Sequence, residues 1–191
     1  MKGEDPEKHY PPGGQIGSIA AAHYSEAYII TKQWWVKQGR STDYGNSLFG
    51  SLLQYNDPEA QELLTKKIND FINTNGKSER PVAIQGLLST RNSFALKQMF
   101  RLLTVTIHNP GFPGEPGTPF NCDMMSLIIS RLENEGGYKF PERSVEEYGS
   151  KRDCENKFKS LPLAKKHAEE FYVKLDKEQE YWMKEMPFYK K

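Results

Sequence analysis

The chain has 191 residues, with 26 Lys plus Arg set against 25 Asp plus Glu for a formal net charge of +1. This length favours one core over two, and the charge balance lacks the basic excess of a dedicated nucleic-acid binder. A 37% hydrophobic share predicts a thin core, offset by a 12% aromatic share whose rings each bury ~150–250 Å²; such a chain is expected to complete its core against partners.

Residues 1–14 read as an extended N-terminal arm, because Pro6, Pro11, Pro12, Gly13 and Gly14 forbid regular structure. From Ser18 to Lys37 the spacing predicts a helix stopped by Gly39. Ile16, Ile19, Ala20, His23, Ala27, Ile30 and Trp34 form one stripe, and Ala21, Tyr24, Tyr28 and Trp35 a second. A helix apolar on more than one face is usually packed between several neighbours. Leu48, Phe49, Leu52 and Leu53 predict a short helix after the Arg40–Gly45 loop.

The next helix is bounded by an Asp57 N-cap, Pro58 at the first helical position and an Asn75-Gly76 stop. Leu64, Ile68, Phe71 and Ile72 form its inner face. Pro81 predicts a further short helix. Asn92 or Ser93 then caps a longer one, expected to run through Ile107 although Thr104-Val105-Thr106-Ile107 is β-branched.

Residues 111–119 form three Gly-X-Pro triplets. They predict a polyproline-II-like loop over 109–119, a strut of about 28 Å at ~3.1 Å per residue. Three triplets are too few for a collagen triple helix, so the expected role is a rigid spacer between helices. Thr118 and Pro119 are then expected to start a helix through Leu132, ended by Gly136-Gly137. Between residues 82 and 132 only six residues are charged, which marks this stretch as the apolar centre.

Composition changes near residue 138. Ser144 to Glu147 reads as a capping box, and Leu161-Pro162 opens the longest helix, reaching Met186 with Ala164, Ala168, Phe171, Leu175 and Trp182 on its inner side. The expectation is an all-α single domain of about six to eight helices. Residues 15–137 form its core, 138–191 a charged C-terminal helical region, and 187–191 a short tail.

Four constellations could carry chemistry. His23 with Glu26, and His167 with Glu170, are His-x-x-Glu pairs on single helix faces, a donor type for metal sites. No partner carboxylates accompany them within apolar stripes, so no metal or other cofactor is expected, and His167 reads as solvated among Lys165, Lys166 and Glu169. Cys122 near a helix N-terminus and His108 across the Pro/Gly loop form the alternative reading of a small enzyme or ligand-binding module, with a dipole-stabilised thiolate. Lys32, Trp34, Trp35, Lys37 and Arg40, extended by Arg91, Lys97 and Arg101, could stack bases and meet phosphates. The Gly-X-Pro strip could dock into an aromatic groove.

Cys122 and Cys154 are 32 residues apart, with no metal-ligand spacing, and read as free thiols of a reducing compartment. The N-terminus lacks an apolar signal region, and no apolar run reaches the ~20 residues of a membrane span. No membrane insertion is expected, and the location reads as cytoplasmic or within a macromolecular assembly. The preferred function is a non-enzymatic helical subunit of filament, coat or scaffold type. It would form a homo-oligomer or multi-subunit assembly through its terminal arms, with nucleic acid as a candidate enclosed partner.

Overall fold

A computed structural model describes residues 24–42, 47–77, 87, 90, 92–107, 119–141 and 151–183. Seven helices occur among them: α1 (Tyr24–Lys37), α2 (Ser47–Gln54), α3 (Pro58–Asn73), α4 (Ser93–Leu102), α5 (Phe120–Asn134), α6 (Lys151–Lys159) and α7 (Leu161–Met183). The fold is all-α. The terminal arms, the 109–118 part of the loop and the Ser144 capping box lie outside the described residues, as does most of the short helix expected at Pro81. Leu87, within that last stretch, is helical and fully buried.

The clearest sequence boundaries are realised atom by atom. Asp57 caps α3 by accepting the Ala60 amide at 2.8 Å, and Pro58 follows it in the first turn, where no amide donor is needed. At the other end, Asn75 and Gly76 take positive φ values of 45° and 75°. Gly76 is doubly required, since a Cβ there would also sit inside the Ile107 side chain. Ala60, Leu64, Ile68 and Phe71, all fully buried, repeat at helical spacing and give α3 one apolar face.

Asn92 caps α4 by accepting the Ala95 amide at 2.9 Å. Its side-chain amide also donates to the Leu53 carbonyl at 2.8 Å and to Asn56 Oδ1 at 3.0 Å. One side chain therefore starts α4 and ties it to the α2–α3 corner.

Helix α4 ends at Leu102, short of the expected Ile107. Its last amides bond three residues back, Leu103 to Phe100 and Thr104 to Arg101, as the chain tightens ahead of the β-branched run. Val105 is then fully buried, and the Thr106 amide donates to Asn75 Oδ1 at 3.0 Å. Here the β-branched residues outweigh the helical spacing that continues through Leu103.

The expected spacer is also corrected. The Phe120 amide donates to the Ile107 carbonyl at 2.7 Å, so the two flanks of the Gly-X-Pro segment meet instead of being held apart. Helices α4 and α5 consequently pack directly against each other. Pro119, with φ −58° and ψ 131°, occupies the cap position of α5 one residue later than expected.

Helix α5 sits at the centre, contacting α4, α6 and α7. It buries Phe120, Met124, Met125, Ile128, Ile129 and Leu132 over more than one face, as a central helix must. Arg131 is buried among them. Its guanidinium donates to the Leu87 and Thr90 carbonyls and pairs with Glu135, which fixes the segment before α4. Gly137, at φ 71°, turns the chain out of α5. Ala164, Ala168, Phe171 and Leu175 pack α7 onto the same core, so the charged C-terminal region shares it with the N-terminal helices.

Replacing Asn92 with Ala removes the α4 cap and leaves the buried Leu53 carbonyl without this donor. The expected loss is about 2–3 kcal/mol, read from urea denaturation of the full chain.

Candidate functional site

Three polar constellations lie within the described residues, on α1 with α3, on α5 with α6, and on α7 with the turn after α5. Each uses side chains that the sequence singles out.

The first is centred on Asp57, whose side chain is 1% exposed. Besides capping α3, its carboxylate accepts the Tyr28 hydroxyl at 2.6 Å and the Lys32 ammonium at 2.8 and 2.9 Å. Lys32 also meets Glu59 at 2.8 Å, and Glu59 pairs with Arg40. Two cations and two carboxylates thus bridge α1 and the residues after it to the start of α3. Hydrogen bonds from Lys32 and Arg40 hold the Glu59 carboxyl below its ordinary range. Burial, then the bond to Asp57 and its charge, push the Tyr28 hydroxyl well above its ordinary value.

This network changes the nucleic-acid reading residue by residue. Trp35 is fully buried, donates its indole N–H to the Ser41 carbonyl at 2.8 Å and stacks on Phe49 at 6.1 Å between ring centroids. Its face is unavailable to a base, and its role is that of a core anchor. Lys32 lies 4.8 Å from that ring centroid and is already paired with acids, as is Arg40. Trp34 is half-buried, with the Lys37 ammonium 5.3 Å from its ring. On α4, Arg101 bonds Asn69 and Gln98, and Lys97 lies over Tyr172 of α7 at 5.0 Å. Arg91 lies outside the described residues. Each described cation therefore meets a partner from this same chain.

The second constellation overturns the free-thiol expectation. Cys122 near the start of α5 and Cys154 on α6 form a disulfide, with their Cα atoms 5.4 Å apart, inside the range such a bond requires. Helix α6 lies against α5, which brings the two residues together across 32 positions of sequence. Closing a loop of that size is worth roughly 3–4 kcal/mol in the chain-entropy account. A bonded sulfur is no thiolate, so the proposed Cys122 nucleophile is lost. Its suggested partner, His108, lies outside the described residues. Next to Cys154, the Asp153 carboxylate and Lys157 ammonium pair while both are about 95% buried, at 4% and 5% side-chain exposure.

The third is an aromatic clamp. The His167 ring stacks on Tyr138 at 4.3 Å and meets Phe140 edge-on at 5.6 Å. Its Nδ1 lies 3.8 Å from Glu170 Oε2. The sequence reads His167 as solvated; it is instead only 18% exposed, because the turn after Gly137 folds two rings over it. Burial, and then Glu170, raise the Tyr138 hydroxyl above its ordinary value. Among the described residues no group of three or more His, Cys, Asp and Glu side chains converges as a metal site. Glu26 is exposed on α1, and His23 lies outside the described residues.

Sequence reasoning passed over Asp57 as more than a cap and Tyr28 as more than an apolar contact. The signal available was their spacing from Lys32: Tyr28 and Lys32 are four apart and share one helix side. No protein-family model, curated protein or solved structure matches this chain.

Two outcomes test the Asp57 network. Asp57→Ala removes the α3 cap and the shared acceptor of Tyr28 and Lys32, leaving Lys32 with Glu59, and is expected to cost about 2–3 kcal/mol, whereas Glu59→Gln, at a half-exposed carboxylate, costs under about 1 kcal/mol. Thermal and urea unfolding of both variants checks the contrast. At high pH the raised Tyr28 hydroxyl keeps its proton in the folded state while the unfolded chain ionises. Its contribution is therefore complete below about pH 10 and declines above it. Stability followed through that window should fall less steeply for Tyr28→Phe, with Tyr172 and Tyr138, which burial also raises, contributing to the remaining slope.

Proposed function

We propose that this chain is a non-enzymatic helical structural subunit that works by protein–protein contact in an assembly of further copies or partner proteins. The observation that supports the reading most is a pair of exposed apolar residues on the outer side of α1. Ala27, Tyr28, Thr31 and Trp35 are buried, yet Ile29 and Val36, two turns apart on the other side, are 42% and 37% exposed. Single exposed apolar residues are ordinary on any protein. Ile29 and Val36 lie in register on an outer side that also carries exposed Glu26 and Gln33, so the contact offered is a mixed apolar and polar one.

The polar constellations support the same reading. The Asp57 network and the Cys122–Cys154 bond join one helix to another, and so work as cross-braces of a scaffold. The disulfide favours an oxidising surrounding, or a particle that leaves the cell, over the reducing cytoplasm of the first expectation. No helix among the described residues is long and apolar enough to cross a membrane. Contacts through arms 1–14 and 187–191 and enclosure of nucleic acid remain part of the proposal. The exposed side of α1 now stands first among the contacts, since Lys32 and Arg40 are already paired.

Light scattering of the full chain over a wide concentration range tests this. The expected mass lies above the 22.0 kDa of one chain, falling to it in the Ile29→Lys, Val36→Lys double variant. A single-chain mass at every concentration, together with no partner captured through α1, overturns the reading. A fall in mass after nuclease treatment would assign the assembly to nucleic acid.

A further inference from the structure

We propose that α1 pairs with α1 of a second copy of this chain, antiparallel, about a two-fold axis that passes beside Gln33. The inference rests on the subunit reading above and names its partner as the chain itself. A two-fold contact must be self-complementary, because the same patch forms both sides of it. The outer side of α1 meets that condition in charge, in apolar contact and in hydrogen bonding.

Charge sets the direction. Glu26 lies in the first turn of α1 and Lys37 in its last, and both are exposed. Eleven residues separate them, about three turns, which returns both to one side of the helix. In an antiparallel pair Glu26 of each copy faces Lys37 of the other, so both ends close on opposite charges. A parallel pair in register sets Glu26 against Glu26 and Lys37 against Lys37, which is repulsive at both ends. The Lys37 ammonium lies 5.3 Å from the Trp34 ring centroid, a contact that steadies the cation at its end of the helix.

The middle of the helix has the same symmetry. Ile29 and Val36 are 42% and 37% exposed, and the midpoint between them falls beside Gln33, which is also exposed. Reversal about that point sets Ile29 of each copy against Val36 of the other. Gln33 then meets Gln33, and two side-chain amides satisfy each other because each carries donors and an acceptor. A helix of 14 residues is about 21 Å long. The contact is therefore small, and it gains strength when repeated beside others in an assembly.

Charge reversal in the full chain tests the pairing, with association constants read from sedimentation equilibrium at low salt. Glu26→Lys and Lys37→Glu each place like charges together at both ends, and each is expected to weaken self-association by about tenfold. An equal mixture of the two variants regains opposite charges in the mixed pair, and so does the double variant Glu26→Lys, Lys37→Glu. Both are expected to return to within about threefold of the unchanged chain. The double variant also separates pairing from the helix dipole, since its end charges are the unfavourable ones for an isolated helix. Unchanged association in both single variants, or weakening that neither the mixture nor the double variant repairs, overturns the antiparallel pair. If Ile29→Lys, Val36→Lys still lowers the mass in that case, the subunit reading stands while this pairing falls. A chain that stays single at every concentration overturns both.

Discussion

A single buried carboxylate organises the N-terminal half. Its carboxylate, that of Asp57, accepts the Ala60 amide, the Tyr28 hydroxyl and the Lys32 ammonium, and a polar group so far from water is stable only with such partners. That requirement fixes the rotation of α1, because Tyr28 and Lys32 reach one carboxylate only from one helix side. With α1 so placed, Trp35 lies on Phe49 of α2 and its indole N–H finds the Ser41 carbonyl. A few residues away, Asn92 reaches back to Leu53 and Asn56, so three helix ends share one polar corner. Hydrophobic burial supplies most of the stabilisation, but it is non-directional. The corner decides which helix faces which.

Local signals with a short reach were legible in the sequence. The Asp57-Pro58 start, the Asn75-Gly76 stop, the Asn92 cap and the Ala164 to Leu175 stripe each depend on a few consecutive turns, and each is realised. What failed depended on partners remote in the chain. Thr104 to Ile107 leave the helix because Asn75 and Phe120 offer their backbone other bonds. Trp35 looked like a stacking platform only because Phe49 and Ser41 belong to other segments. The cysteine pairing had no local mark at all, since it is created by α6 lying against α5.

The two halves of the chain are braced by different means. Around α3 the bracing is electrostatic and hydrogen-bonded, with Asp57, Lys32, Glu59 and Arg40 linking segments that also share apolar contacts. Around α6 a covalent bond to α5 stands beside the Phe158 contact and the buried Asp153–Lys157 pair. Arg131 lies between these schemes. Its aliphatic stem lies in the α5 core, while its guanidinium holds the carbonyls of Leu87 and Thr90, joining the strand of chain before α4 to the helix that carries Cys122.

The hydrogen bond between Ile107 and Phe120 has a bearing on how this protein can vary. Because the bond closes the base of the Gly-X-Pro segment, the twelve intervening residues could be lengthened without moving α4 relative to α5. The entropic cost of a longer loop grows only logarithmically, about 0.6 kcal/mol for each doubling. The bond itself, and not the length of the chain that joins them, sets how closely the end of the α4 segment approaches the start of α5.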